Sequence, residues 1–132
     1  MPIAVNRQAV REYTLKGDES GTVFYLRVLD RPLRNWLFKR VAITKDAESV
    51  LAVFEDIVRY GIQGWTQFFT SEGKPVEIET TDYTTPVGKR TGLKEAALDY
   101  FTKEGIAELT AAILDENVLK ESDAKNSVSL SA

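Results

Sequence analysis

Apolar residues in the middle of the chain recur at the spacing of an α-helix. Ala47, Val50, Leu51, Phe54, Ile57 and Val58 fall at i, i+3, i+4, i+7, i+10 and i+11, and Glu48, Ser49, Glu55, Asp56 and Arg59 mostly take the other side. The pattern predicts an amphipathic helix, capped by Thr44 or Asp46 and favoured by acid in its first turn. Gly61 is expected to end it in the left-handed conformation, with Ile62 folding back onto Ile57.

Upstream, Leu33, Trp36, Leu37 and Val41 make a second helical stripe behind the start signal Asp30-Arg31-Pro32. The β-branched Val41 and Ile43 leave a strand as the competing reading of residues 33–43. Before that, the stretch Ala9–Leu15 has partial alternation, and Thr22–Val28 is rich in β-branched and aromatic residues. The turn chemistry of Lys16–Gly21 between them predicts an antiparallel hairpin, and Met1–Gln8 reads as a lead-in. Downstream, 61–79 reads as a loop or small hairpin turning at Ser71–Pro75, and 80–92 as a polar, punctuated connector with the freedom of a surface loop. A third helix is expected over Leu93–Phe101. A fourth, capped by Thr102 and lined by Ile106, Leu109 and Ile113, should fade near Leu119.

These elements predict an α+β domain over residues 1–121: an N-terminal hairpin packed on about four helices, followed by a flexible polar tail at 122–132. The 132 residues contain 43% hydrophobic side chains, enough to build a core rather than a disordered chain.

Composition then narrows the chemistry. The chain has no cysteine, which removes disulfides, thiol catalysis and cysteine-rich zinc sites. It has no histidine either, so Ser/His and Cys/His triads cannot be assembled and the commonest zinc ligand is missing. Carboxylate or lysine mechanisms remain conceivable, but no acid–base pair stands out, and the expectation is a binding protein without cofactor or catalytic residues. A net charge of −3 does not favour nucleic acid or anionic lipid as a general partner. The start, MPIAVNRQAV, lacks a secretory h-region, and no apolar run reaches the ~20 residues of a membrane span. Host cytoplasm is the expected location.

Two clusters invite a functional reading. Arg31, Arg34, Lys39, Arg40 and Lys45 form a stretch without acid, with Trp36 and Phe38 interleaved. It reads as a solvated helix face, as a nucleic-acid stripe or, equally, as a surface for an acidic protein. Tyr60, Trp65, Phe68 and Phe69 crowd around Gly61 and Gly64. These rings either anchor a loop on the core or make an apolar patch for a partner protein. The carboxylates between Lys103 and Asp123 match no calcium loop, and 85–89 lacks the glycine spacing of a phosphate loop.

The order of motifs carries a resemblance. A Phe24-Tyr25-Leu26-Arg27 strand is followed by a helix closing as Val58-Arg59-Tyr60-Gly61-Ile62-Gln63-Gly64-Trp65. A Glu72-Gly73-Lys74-Pro75-Val76 turn, C-terminal helices and an Ala124-Lys125-Asn126-Ser127 tail come after it. Across roughly residues 22–127 the chain resembles the tail assembly chaperones of long-tailed bacteriophages and prophages. The resemblance implies a protein that binds the tape-measure protein, or another helical client, keeps it soluble until the tail tube assembles, and is absent from the finished particle. Many members are also made in a frameshifted longer form, for which Ala124-Lys125-Asn126 would be encoded by a slippery run such as A-AAA-AAC. Such a holdase covers the apolar faces of its client with its own apolar surface, and self-association would let copies coat it. The client surface is expected around Tyr60, Ile62, Trp65, Phe68 and Phe69, with Arg34 and Arg40 on the basic helix face. The alternatives are another phage morphogenesis protein, such as a tail component or head–tail connector, and a small nucleic-acid-binding regulator using Arg31–Lys45.

Overall fold

The computed structural model describes residues 10–115, so the lead-in, the fading of the last helix and the polar tail lie outside the described residues. Strands β1 (Val10–Tyr13) and β2 (Val23–Arg27) form the expected hairpin. Helix α1 spans Arg31–Ile43, so residues 33–43 are helix and not strand. Asp30 accepts the Leu33 N–H at 3.3 Å, and Pro32 sits in the first turn, where its missing N–H costs nothing. Helix α2 spans Ala47–Gly61, and Asp46 rather than Thr44 is its cap, accepting from Ser49 N at 3.0 Å. Thr44 instead closes α1, its hydroxyl donating to the Arg40 carbonyl at 2.6 Å.

The end of α2 differs from the expected left-handed stop. Gly61 does not have a positive φ, and Ile62 is extended at φ −99°. The helix passes directly into β3 (Ile62–Thr66), which pairs antiparallel with β2, so residues 62–66 of the expected loop or small hairpin at 61–79 are the third strand of a sheet ordered β1-β2-β3. Gly61 is needed for proximity instead. A Cβ there would lie 2.6 Å from Ile113 Cδ1 and 2.9 Å from its Cγ2, with Ile113 fully buried. The rest of the stretch does turn back as expected: Val76 N donates to the Phe68 carbonyl at 2.8 Å, and Gly73 takes φ +80°.

The connector at 80–92 is a second hairpin, β4 (Thr80–Thr85) with β5 (Gly88–Leu93). Its threonines favour strand without giving apolar alternation, because most of its residues face solvent. The hairpin docks on α2 where Gly92 lets the backbone approach. A Cβ there would meet Arg59 Cγ at 2.8 Å and Tyr60 Cδ1 at 3.0 Å. A second tie is the two-pronged ion pair from Arg90 Nε and Nη2 to the Asp30 carboxylate, both contacts at 2.9 Å.

The helix expected over Leu93–Phe101 shrinks to one turn, α3 (Glu95–Leu98). Leu93 belongs to β5, and Tyr100, placed by periodicity on the apolar face, is exposed. Sheet pairing of Leu93 with Thr80 overrides the helical spacing. Helix α4, described over 103–115, starts as expected: Thr102 Oγ1 accepts from Gly105 N at 2.9 Å, and Ile106, Leu109 and Ile113 are buried. Thr110 ties it to α2 by donating to the Phe54 carbonyl at 3.2 Å. The molecule is therefore α+β, with a three-stranded antiparallel sheet and four helices among the described residues.

Replacing Gly61 by Ala should lower stability by about 1–3 kcal/mol through overpacking, despite the better helix propensity of alanine. Adding Ile113→Val, which removes the nearest clashing methyl, should recover part of that loss. Urea unfolding of the single and double variants checks the coupling, and strictly additive losses would exclude it.

Burial of Asp30 pushes its carboxyl pKa up, but the Arg90 fork and the Leu33 N–H outweigh this and hold it below the ordinary carboxylate value. A depressed folded pKa means that the contribution is complete above the unfolded value of ~3.9 and is lost as pH falls through the lower folded value. The stability gap between the native chain and Asp30→Asn should therefore narrow as pH drops through that window. Denaturant midpoints over an acid series test it, and a gap independent of pH would show that the charge of Asp30 contributes nothing.

Candidate partner-binding surface

The aromatic rings that lie close together in sequence separate in space. Tyr60 and Trp65 are buried at 5% and 6% exposure, and Ile62 is buried as well. All three are almost wholly covered, in contrast to the open client surface expected of them. Tyr60 faces the second hairpin and meets Tyr83 edge-on, with ring centroids 6.0 Å apart. Trp65 turns the other way, donating from Nε1 to the Val76 carbonyl at 2.8 Å. It joins Phe24, Phe68 and Phe101 in a cluster whose ring centroids lie 5.3–6.3 Å apart. Edge-to-face geometry of this kind stabilises beyond the area buried.

Phe68 and Phe69 part company at the end of β3. Gln67 has φ +54°, the one positive value for a non-glycine among the described residues. Its carbonyl is held by the buried Thr22, whose hydroxyl donates to it at 2.7 Å. Beyond this corner Phe68 packs half-buried in the ring cluster, and Phe69 remains 51% exposed. An open groove of about 420 Å³ runs beside them, with Leu15, Phe24 and both phenylalanines as its apolar wall and the start of α4 opposite.

The far side of the groove is acidic and already engaged. Glu108 accepts from the Tyr13 hydroxyl at 2.8 Å and from Lys16 N at 2.7 Å. Burial, and then this hydrogen bond to a carboxylate, raise the pKa of the Tyr13 phenol. Among the described residues no group of three or more carboxylate, histidine or cysteine side chains is arranged to hold a metal ion. What the groove offers is an apolar surface with an acidic edge.

The basic stripe also divides. Arg40 stacks on Trp36 at 4.9 Å and donates to Asp56 at 2.6 Å, so it serves the contact between α1 and α2. Asp56 also receives the buried Arg59, whose other arm reaches Glu95 at 2.6 Å and whose guanidinium lies 5.1 Å over the Tyr83 ring. Arg34 is half-buried and lies with Arg31 on a separate cleft, whereas Lys39 and Lys45 are exposed.

Sequence reasoning missed Leu15, Phe24 and Phe101 as parts of the groove and of its supporting cluster. Phe24, an inward position of a strand, carried a signal for the core. The convergence of β2, β3 and 101 on one spot had none. Among the described residues no helix is long and apolar enough to cross a membrane. Comparison of the chain with family models, with curated proteins and with solved structures returned no match.

Asp56→Ala would leave two guanidiniums without their shared carboxylate, and should lower stability by roughly 3 kcal/mol. Glu72→Ala, which removes an exposed contact to Lys74 at 4.0 Å, should change it by less than about 0.5 kcal/mol. Denaturant unfolding of the two variants distinguishes a structural ion-pair network from surface charge.

Proposed function

We propose that this chain is a non-catalytic tail assembly chaperone of the phage type. In this reading it holds a long helical client, the tape-measure protein, in solution until assembly. The observation that carries the reading is Phe69: a large ring left half in water beside an apolar groove, held there by an ordered corner. An exposed ring next to a groove of this size is what an amphipathic helix seeks, because it can lay its own apolar face against both.

Three further points support it. The strand, helix, Gly-Trp segment and turn on which the resemblance rests occur in that order in the fold. The absence of histidine and cysteine removes the side chains that most enzymes of this size would rely on. The apolar wall is modest, so binding would be weak enough for the client to be released as the tube closes around it. The contact surface shifts from the whole 60–69 segment to Phe69, the half-buried edge of Phe68 and Leu15.

Phe69→Glu should leave folding stability within about 0.5 kcal/mol of the native chain, since the ring is half exposed. It should nevertheless abolish the increase in soluble tape-measure protein seen on co-expression with the native chain. Sedimentation of the co-expressed pair, with circular dichroism of the variant alone, is the measurement. Undiminished client solubility with folded Phe69→Glu would exclude the groove, and failure of the native chain to solubilise the client would exclude the function.

A further inference from the structure

Five cationic side chains converge on a cleft of about 870 Å³ that shares no lining residue with the Phe69 groove. Arg27 comes from β2, Arg31 and Arg34 from α1, and Lys89 and Arg90 from β5. The only acidic residue in this lining, Asp30, is occupied by the Arg90 fork and by the Leu33 N–H. Arg27, Arg31 and Lys89 form no ion pair with any described residue. In a chain of net charge −3, this concentration of positive charge is a local inversion.

Arg27 is the most telling member. It lies half-buried at the back of the cleft, its pKa is lowered by desolvation, and its Nε has no hydrogen-bond partner among the described residues. An arginine stays charged in proteins, so burial leaves a cation with lost hydration and an unused donor. An incoming carboxylate or phosphate oxygen would restore both through a charge-assisted hydrogen bond.

The rest of the lining separates the anions that could enter. Nucleic acid held in such a cleft would stack bases on exposed aromatic faces. Here the ring in the lining, Tyr60, is buried and already packed on Tyr83. Aliphatic surface lies between the cations instead, with Val28 half-buried and Pro32 exposed at the rim. Cations interleaved with aliphatic patches complement a polypeptide in which acidic and aliphatic side chains alternate.

We propose that this cleft binds an acidic segment of a partner polypeptide, its carboxylates on Arg27, Arg31 and Lys89 and its aliphatic side chains against Val28 and Pro32. The site uses none of the groove residues, so it goes beyond the chaperone reading and survives or fails independently of it. Arg90 is a positioning residue here, since its ion pair with Asp30 joins the β5 wall of the cleft to the start of α1.

The probe is a fluorescein-labelled peptide of repeated Glu-Val pairs, titrated with the full chain and followed by fluorescence anisotropy. The native chain should bind it, and affinity should fall as salt rises. The double variant Arg31→Glu/Lys89→Glu, at two exposed positions, should bind at least about tenfold more weakly while keeping the native circular dichroism spectrum. Arg27→Gln, which retains a neutral donor, should also weaken binding, and Phe69→Glu should leave it unchanged. A double variant that binds like the native chain would overturn the proposal. So would a Gln-Val peptide that binds as well, or a single-stranded oligonucleotide of equal charge that binds more tightly. Should the double variant misfold, Lys89→Ala alone decides, with unaltered binding counting against the cleft.

Discussion

Because α2 passes into β3 without an intervening residue, whatever orients the helix also orients the strand. Gly61 stands at that junction with no side chain, and Ile113 of α4 fills the space a Cβ would need. The close approach brings the last helix onto the junction, and Thr110 locks the same pair of helices with a hydrogen bond to the Phe54 carbonyl. Beta3 in turn pairs with β2, so sheet, α2 and α4 meet at one point. A packing constraint at a single glycine therefore sets the relation between the two halves of the fold. The Phe24–Trp65–Phe68–Phe101 cluster forms on the sheet side of this arrangement, and the groove beside Phe69 is its outer margin.

Electrostatics act on the same framework in two different ways. Asp56 gathers Arg40 and Arg59, and Asp30 gathers Arg90; each carboxylate holds an element to its neighbour. Both ties are partly shielded from water, where such contacts are stronger than on an open surface. Arg27, Arg31 and Lys89 form no such tie among the described residues. The protein thus separates positive charge that supports the fold from positive charge that faces an open space. The groove and the cleft present different chemistry, one apolar with an acidic edge and the other cationic with aliphatic patches.

The legible part of the molecule was local in origin. The stripe from Val50 to Val58, the Asp30-Arg31-Pro32 start, the Thr102 cap and the β-branched and aromatic run of Thr22–Val28 each depend on residues within a turn or two, and each produced the expected element. The second hairpin escaped notice because a two-stranded ribbon with both faces largely in water needs no apolar alternation. Its attachment rests on Gly92, Tyr83 and Arg90, residues whose partners are distant in the chain. The short third helix was overestimated because Leu93, held by sheet pairing, and Phe101, held by the ring cluster, happen to fall at helical spacing with Ala97.

By itself the sequence determined the α+β class, the caps and faces of the principal helices, the first hairpin and the chemistry that could not be present, since these follow from spacing and composition. Tertiary structure alone decided that Gly61 serves a helix–helix contact rather than a left-handed stop. It also decided that Tyr60 and Trp65 turn inward on opposite sides while Phe69 stays in water, and that Arg40 is bound to Asp56 while Arg27, Arg31 and Lys89 share a cleft. The physical reason is common to all of these. A side chain's exposure and charge partner depend on what arrives from elsewhere in the chain, and periodicity records only which way a residue faces on its own element.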